Sequence, residues 1–192
     1  MKAVETAMSD QFLFLSYKRG PTTTPAAQRL FDRAAVQLPS NVKTFFDQKS
    51  IDAGDEWTPA IDDFLAKTTL FLAFISIDYW LSPQCRRELE TAIKRYERCP
   101  PPPPPRLPRL LFVLADKLDP NDLALNEAQA RAQVAATPEA ADRIQRIGQI
   151  NFLGPHDAAG KLVRLKLEDS VLLDDQLADL VGKIKTVLAG MA

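Results

Sequence analysis

The segment Thr69–Ser76 (TLFLAFIS) is apolar at every position from Leu70 to Ile75 and is bounded by hydroxyl residues. Without polar alternation it cannot lie on a sheet that has one wet face, so it predicts a strand covered on both sides. Gln11–Ser16 (QFLFLS) and Leu110–Ala115 (LLFVLA) have the same character, and Val42–Phe46 and Ile150–Leu153 read as shorter strands. Stretches with helical spacing lie between them. Ala27, Leu30, Phe31, Ala34, Ala35 and Leu38 follow a loop at Gly20–Pro25 and stop at Pro39 and Ser40. Trp57, Ile61, Phe64 and Leu65 mark a second helix, and Cys85, Leu89, Ala92, Ile93 and Tyr96 a third. Ser82 suits the N-cap of that third helix and Pro83 its first position. Asn121–Gln149 is alanine-rich and reads as helix in pieces, broken near Thr137–Pro138. Leu173, Leu177, Leu180, Val181, Ile184, Val187 and Leu188 make a closing helix.

Strands too apolar for a wet face, alternating with amphipathic helices, predict a doubly wound α/β fold with a parallel sheet and helices on both faces. Leu13, Leu15, Phe71, Ala73, Phe112 and Leu114 are its expected buried strand residues. Residues 1–10 read as a leader and 11–192 as one domain, within which the proline-rich 100–108 forms a connector. At 192 residues the chain can bury a sufficient core without a disulfide or metal.

Several function classes are disfavoured. No apolar run reaches the roughly 18–20 residues of a membrane span, and Met1–Asp10 has no apolar signal core. Lys and Arg number 24 against 25 Asp and Glu, which argues against a generally basic nucleic-acid binder. Cys85 and Cys99 are too few for a disulfide framework. On one helix they would lie roughly 20 Å apart, which predicts free thiols and a reducing cytoplasm. His156 is the single histidine, so His-rich metal sites are excluded.

In doubly wound sheets, sites form beyond the carboxyl ends of the strands. Here those ends are Ser16–Thr24, Asp47–Trp57 and Ser76–Glu88. Ser16, Tyr17, Lys18, Arg19 and Gly20 offer hydroxyls, cations and backbone donors to phosphates, although neither G-x-G-x-x-G nor Walker A spacing occurs. A solvated loop explains them equally well. Glu88, near the start of the third helix and behind Tyr79 and Trp80, is either a catalytic carboxylate or an acid favoured by the helix dipole. Cys85 reads as a small buried residue rather than a nucleophile, since no histidine lies near it in sequence. Pro100–Pro105 reads as a surface connector, with a ligand for a proline-binding module as the alternative. Residues 86–109 hold seven cations against three acids, whereas Glu168, Asp169, Asp174, Asp175 and Asp179 form an acidic stretch. Each reads as a solvated face, and together they permit head-to-tail self-association.

Three segments in order resemble the Toll/interleukin-1 receptor (TIR) domain family, especially its bacterial members. FLFLSYKR (Phe12–Arg19) is similar to the family's first box. FFDQKSIDAGDEWTPAIDDFLAKT (Phe45–Thr68) is similar to its second strand, variable loop and following helix. LFLAFISIDYWLSPQCRREL (Leu70–Leu89) is similar to the third strand and the S-x-x-C-x-x-E-L signature. The resemblance implies a flavodoxin-like five-stranded parallel sheet. It also implies cleavage of the nicotinamide–ribose bond of NAD+ by the signature glutamate, here Glu88, with possible cyclase activity. NAD+ is then the substrate and no separate cofactor is expected. Around Glu88, the candidate substrate-binding residues are Ser16, Tyr17, Lys18, Arg19, Asp47, Trp57, Tyr79, Trp80, Ser82 and Cys85.

The resemblance further implies homo-oligomerisation through TIR–TIR contacts, a sensor or activator domain on this or another chain, and a role as a prokaryotic immune effector or signal generator. Asp47–Glu56, with Gly54, is the expected mobile loop that contacts a neighbour and gates the pocket. The sequence departs from the bacterial pattern at Gln84, where a Trp is usual, and lacks the usual aromatic pair near the last helix. A non-catalytic TIR adaptor is the alternative reading. A receiver module is disfavoured because Ser16–Arg19 supplies no clustered acids, and a flavin protein would purify yellow.

Overall fold

The computed structural model describes residues 10–45, 59–76, 78–79, 82–98, 108–115, 151–152 and 165–190. Five parallel strands form one sheet: β1 (Gln11–Tyr17), β2 (Val42–Phe45), β3 (Leu70–Ile75), β4 (Arg109–Leu114) and β5 (Asn151–Phe152). Their order is β2-β1-β3-β4-β5, the flavodoxin-like arrangement, and every neighbouring pair is parallel. The described helices are α1 (Thr23–Gln37), α2 (Pro59–Lys67), α3 (Pro83–Arg98) and α4 (Ser170–Ala189). The expected doubly wound α/β fold is therefore present.

Strand alternation sorts the core into two layers. Leu13, Leu15, Tyr17, Leu70, Leu72 and Phe74 pack with α1 and α4. Phe14, Phe71, Ala73 and Ile75 face the other way, toward Ile61 and Leu65 of α2 and Leu89, Ala92 and Ile93 of α3. Phe14 stacks between Phe45 and Phe71, with ring centroids 5.2 and 5.7 Å away. All six residues of β3 are buried, as the opening pattern requires. Leu13, Leu15, Phe71, Ala73 and Phe112 are likewise buried, and the side chain of Leu114 lies outside the described residues.

Element boundaries differ from the sequence reading in two informative places. β1 continues through Tyr17, which turns into the α1/α4 layer instead of entering the loop. α1 begins at Thr23, inside the segment read as the Gly20–Pro25 loop. Pro25 is tolerated there because the first-turn N–H groups have no partner within the helix. The turn is held by threonine side chains: Thr24 Oγ1 accepts from the Gly20 N–H at 3.1 Å, and Thr23 Oγ1 donates to the Lys18 carbonyl at 2.7 Å.

Polar contacts add to this packing. Arg95 Nη1 on α3 donates to the carbonyls of Leu65 and Thr68 at the end of α2, at 2.6 and 2.8 Å. Gln11 Nε2 donates to the Leu188 carbonyl at 3.0 Å, joining the start of β1 to the end of α4. Asp169 caps α4 by accepting from the N–H groups of Val171 and Leu172 at 3.1 and 3.0 Å. The alanine-rich 121–149, the proline run 100–105, His156, Cys99 and the 47–56 loop lie outside the described residues. No described helix is long and apolar enough to cross a membrane.

Candidate active site at the carboxyl edge of the sheet

Glu88 stands on the buried stripe of α3. Cys85, Glu88, Leu89, Ala92 and Ile93 are the buried residues of that helix, at the i, i+3, i+4 spacing of one face. A carboxylate among apolar residues costs free energy unless it is hydrogen-bonded or paired. The helix dipole does not account for it: its effect fades within the first turn, and the first turn of α3 contains no acid. Glu88 is only 6% exposed, so a solvated-face reading also fails.

Two of its hydrogen-bond partners come from β1 and from α3 itself. Ser16 Oγ donates to Glu88 Oε2 at 2.5 Å. Gln84 Nε2, one turn earlier on α3, donates to Oε1 at 3.3 Å. Ser16 Oγ and Tyr79 Oη lie 3.0 Å apart, and Tyr79 Oη is 3.4 Å from the Cys85 carbonyl. Ser82 Oγ accepts from the Cys85 N–H at 3.4 Å, and Pro83 is the first residue of α3. Ser82 and Pro83 thus act as the expected cap and first helical residue.

The electrostatics follow from burial. Desolvation, the thiol of Cys85 and the charge of Glu88 all hold the Tyr79 phenol well above its ordinary pKa, so it remains a neutral donor. Burial and Glu88 push the Cys85 thiol up to about 12. Cys85 is therefore a packed, protonated thiol and not a nucleophile.

A small cavity of about 60 Å³ opens beside this network. Lys18 and Arg19 line it from the loop after β1, and Ser82, Gln84, Cys85 and Glu88 line it from α3 and its cap. Tyr17 contributes from the end of β1. Ser16 and Tyr79, at 1% and 0% exposure, lie behind the carboxylate. Thus eight of the sequence-selected residues converge: Ser16, Tyr17, Lys18, Arg19, Tyr79, Ser82, Cys85 and Glu88. Asp47, Trp57 and Trp80 lie outside the described residues. Gln84 was singled out only as a departure from a pattern, yet it contacts the carboxylate directly. Its i, i+4 spacing to Glu88 is the signal that places the two on one face. Among the described residues, no group of three or more His, Cys, Asp or Glu could hold a metal ion.

The family model described as TIR domain matches residues 13–147, well over half of the chain. The chain belongs to the TIR domain family. Among solved structures, this TIR domain is similar to the TIR domains of the activated Roq1 resistosome, which directly recognizes the pathogen effector XopQ. The two are 15% identical with a TM-score of 0.51, over 74% of this chain and 87% of that one. At that identity the likeness shows a shared fold. No curated protein matches the chain.

Proposed function

We propose that this TIR domain cleaves the nicotinamide–ribose bond of NAD+, with Glu88 as the catalytic carboxylate. The observation that carries the reading is a buried glutamate, hydrogen-bonded to Ser16, beside a cavity lined by Lys18 and Arg19 at the carboxyl edge of the sheet. The chemistry suits that arrangement. The bond between ribose C1′ and the pyridinium nitrogen breaks, and its electron pair returns to the ring, so nicotinamide leaves neutral and needs no general acid. Positive charge accumulates on the ribose as an oxocarbenium-like centre. A fixed carboxylate in a water-poor site stabilises that charge and can orient ribose hydroxyls, as glycosidase carboxylates do. Lys18 and Arg19 supply positive charge for the diphosphate. Attack by water, with loss of its proton, gives ADP-ribose; attack by an internal nucleophile gives a cyclic product.

In this reading the described residues line only part of the dinucleotide site. The 47–56 loop and a second TIR domain are the proposed sources of the rest, which makes cleavage dependent on self-association. The similarity to TIR domains taken from a resistosome supports that part of the reading. In cells the domain would then act as an immune effector or signal generator, switched on by whatever brings copies together.

Incubation of concentrated protein with NAD+, followed by separation of nicotinamide, ADP-ribose and cyclic products, tests the proposal. Release of nicotinamide with a steep dependence on protein concentration is expected. Absence of turnover in the assembled protein would leave an adaptor that works through TIR–TIR contacts.

A further inference from the structure

We propose that Ser16 is a positioning residue that pins one oxygen of Glu88 from the protein side, with Tyr79 directing the serine proton. The inference rests on the reading of Glu88 as the group that stabilises the ribosyl cation. It adds what holds that carboxylate in place, and it moves Ser16 and Tyr79 out of the substrate-contacting set.

The geometry gives each atom one task. The 2.5 Å contact from Ser16 Oγ to Glu88 Oε2 lies at the short end of hydroxyl–carboxylate hydrogen bonds, where charge assistance makes them strongest. A serine hydroxyl carries one proton. Once that proton is committed to Oε2, the serine oxygen can only accept from Tyr79 Oη, 3.0 Å away. Tyr79 can donate because its phenol stays protonated, and the Cys85 carbonyl, a second acceptor near its hydroxyl, is more distant at 3.4 Å. The result is a directed chain from Tyr79 O–H to Ser16 O–H to the carboxylate, with no proton exchanged.

Placement separates this chain from the cavity. Ser16 and Tyr79 are fully buried, whereas Glu88 and Gln84 line the opening. The Gln84 contact to Oε1, at 3.3 Å, is long and weak. An incoming ribose hydroxyl can therefore replace it without disturbing Oε2. Glutamate has three side-chain torsions, and stabilisation of a developing cation depends on a carboxylate already fixed before the reaction begins. Ser16 supplies that fixation from β1, where it is paired with Ala73 of β3.

The test uses the full chain at assembling concentration, with nicotinamide release from NAD+ as the readout. Ser16→Ala should lower kcat by roughly 10–100-fold, the loss of one charge-assisted hydrogen bond, with KM little changed. Ser16→Thr, which keeps the hydroxyl, should restore most of kcat. Tyr79→Phe should act in the same direction with smaller effect. Adding Ser16→Ala to Glu88→Gln should slow the enzyme little further, because the pinned group is already gone. A folded Ser16→Ala protein with near-native kcat would overturn the inference, as would a loss confined to KM. Should Ser16→Ala fail to fold by circular dichroism, Tyr79→Phe carries the test, and native kcat there overturns the role. Wild-type protein without turnover at any concentration removes the functional reading and this inference together. An active chain whose Glu88→Gln variant keeps full activity removes the Glu88 assignment itself.

Discussion

Arg95 adds a polar tie between α3, which carries Glu88, and α2, beside their apolar packing. Its Nη1 donates to two carbonyls, Leu65 at 2.6 Å and Thr68 at 2.8 Å, around the end of α2. Arg95→Ala removes both donors and leaves buried residues with weakened acceptor satisfaction. A hydrogen bond from a charged group contributes about 1.5–3 kcal/mol. The two share one nitrogen and do not add fully, while the cation at the helix end contributes about 0.3–1 kcal/mol more. The net loss is about 2–3 kcal/mol. For a domain of this size each kcal/mol moves Tm by roughly 2–4 °C, so the expected drop is about 4–12 °C. Urea unfolding followed by circular dichroism should show a lower midpoint with an unchanged slope. Arg95→Lys should recover part of the loss, since it keeps the charge without the planar fork. A loss for Arg95→Ala below about 0.5 kcal/mol, the range of ordinary surface changes, would refute the reasoning.

Three further outcomes follow from the electrostatics and the cap. In a Cys99→Ser background, Cys85 should resist alkylation at pH 8 in the folded protein and react readily in denaturant, because burial pushes its thiol up to about 12. The same shift makes folding bind the proton more tightly than the unfolded chain does. The contribution is fully present below the ordinary value of 9.0 and is lost as pH climbs toward about 12, so a stability–pH curve flat over that window would contradict it. Asp169→Ala should cost about 0.5–2 kcal/mol by releasing the Val171 and Leu172 N–H groups, and Asp169→Asn should cost less; equal losses in chemical denaturation would argue against a capping role.

The fold was legible where one physical pattern dominated. β3 announces itself because a strand buried on both faces has no reason to alternate, and the residues of α4 repeat at helical spacing against the sheet. The start of α1 was hidden because Thr23, Thr24 and Pro25 carry loop chemistry, which here brackets and begins a helix. Glu88 was partly legible. Its spacing from Cys85 and Ala92 puts it on the apolar stripe of α3, where an acid is out of place. Its tie to Ser16 was not, because 72 residues separate the two and only the fold brings β1 against α3. Tyr79 was selected from the sequence as a residue beside Glu88, but its role behind the carboxylate was not legible. Nothing local says that its ring is wholly enclosed and its hydroxyl meets the end of β1.

The most direct measurement compares NAD+ turnover by wild-type protein and Glu88→Gln at matched, high concentration, with folding checked by circular dichroism. The substitution keeps shape and removes the charge. Loss of about 3–4 kcal/mol of transition-state stabilisation would slow nicotinamide release by roughly 10²–10³-fold. That loss, in a variant as folded as the parent, is the predicted result. Near-native turnover by folded Glu88→Gln would contradict the assignment of Glu88 as the catalytic carboxylate.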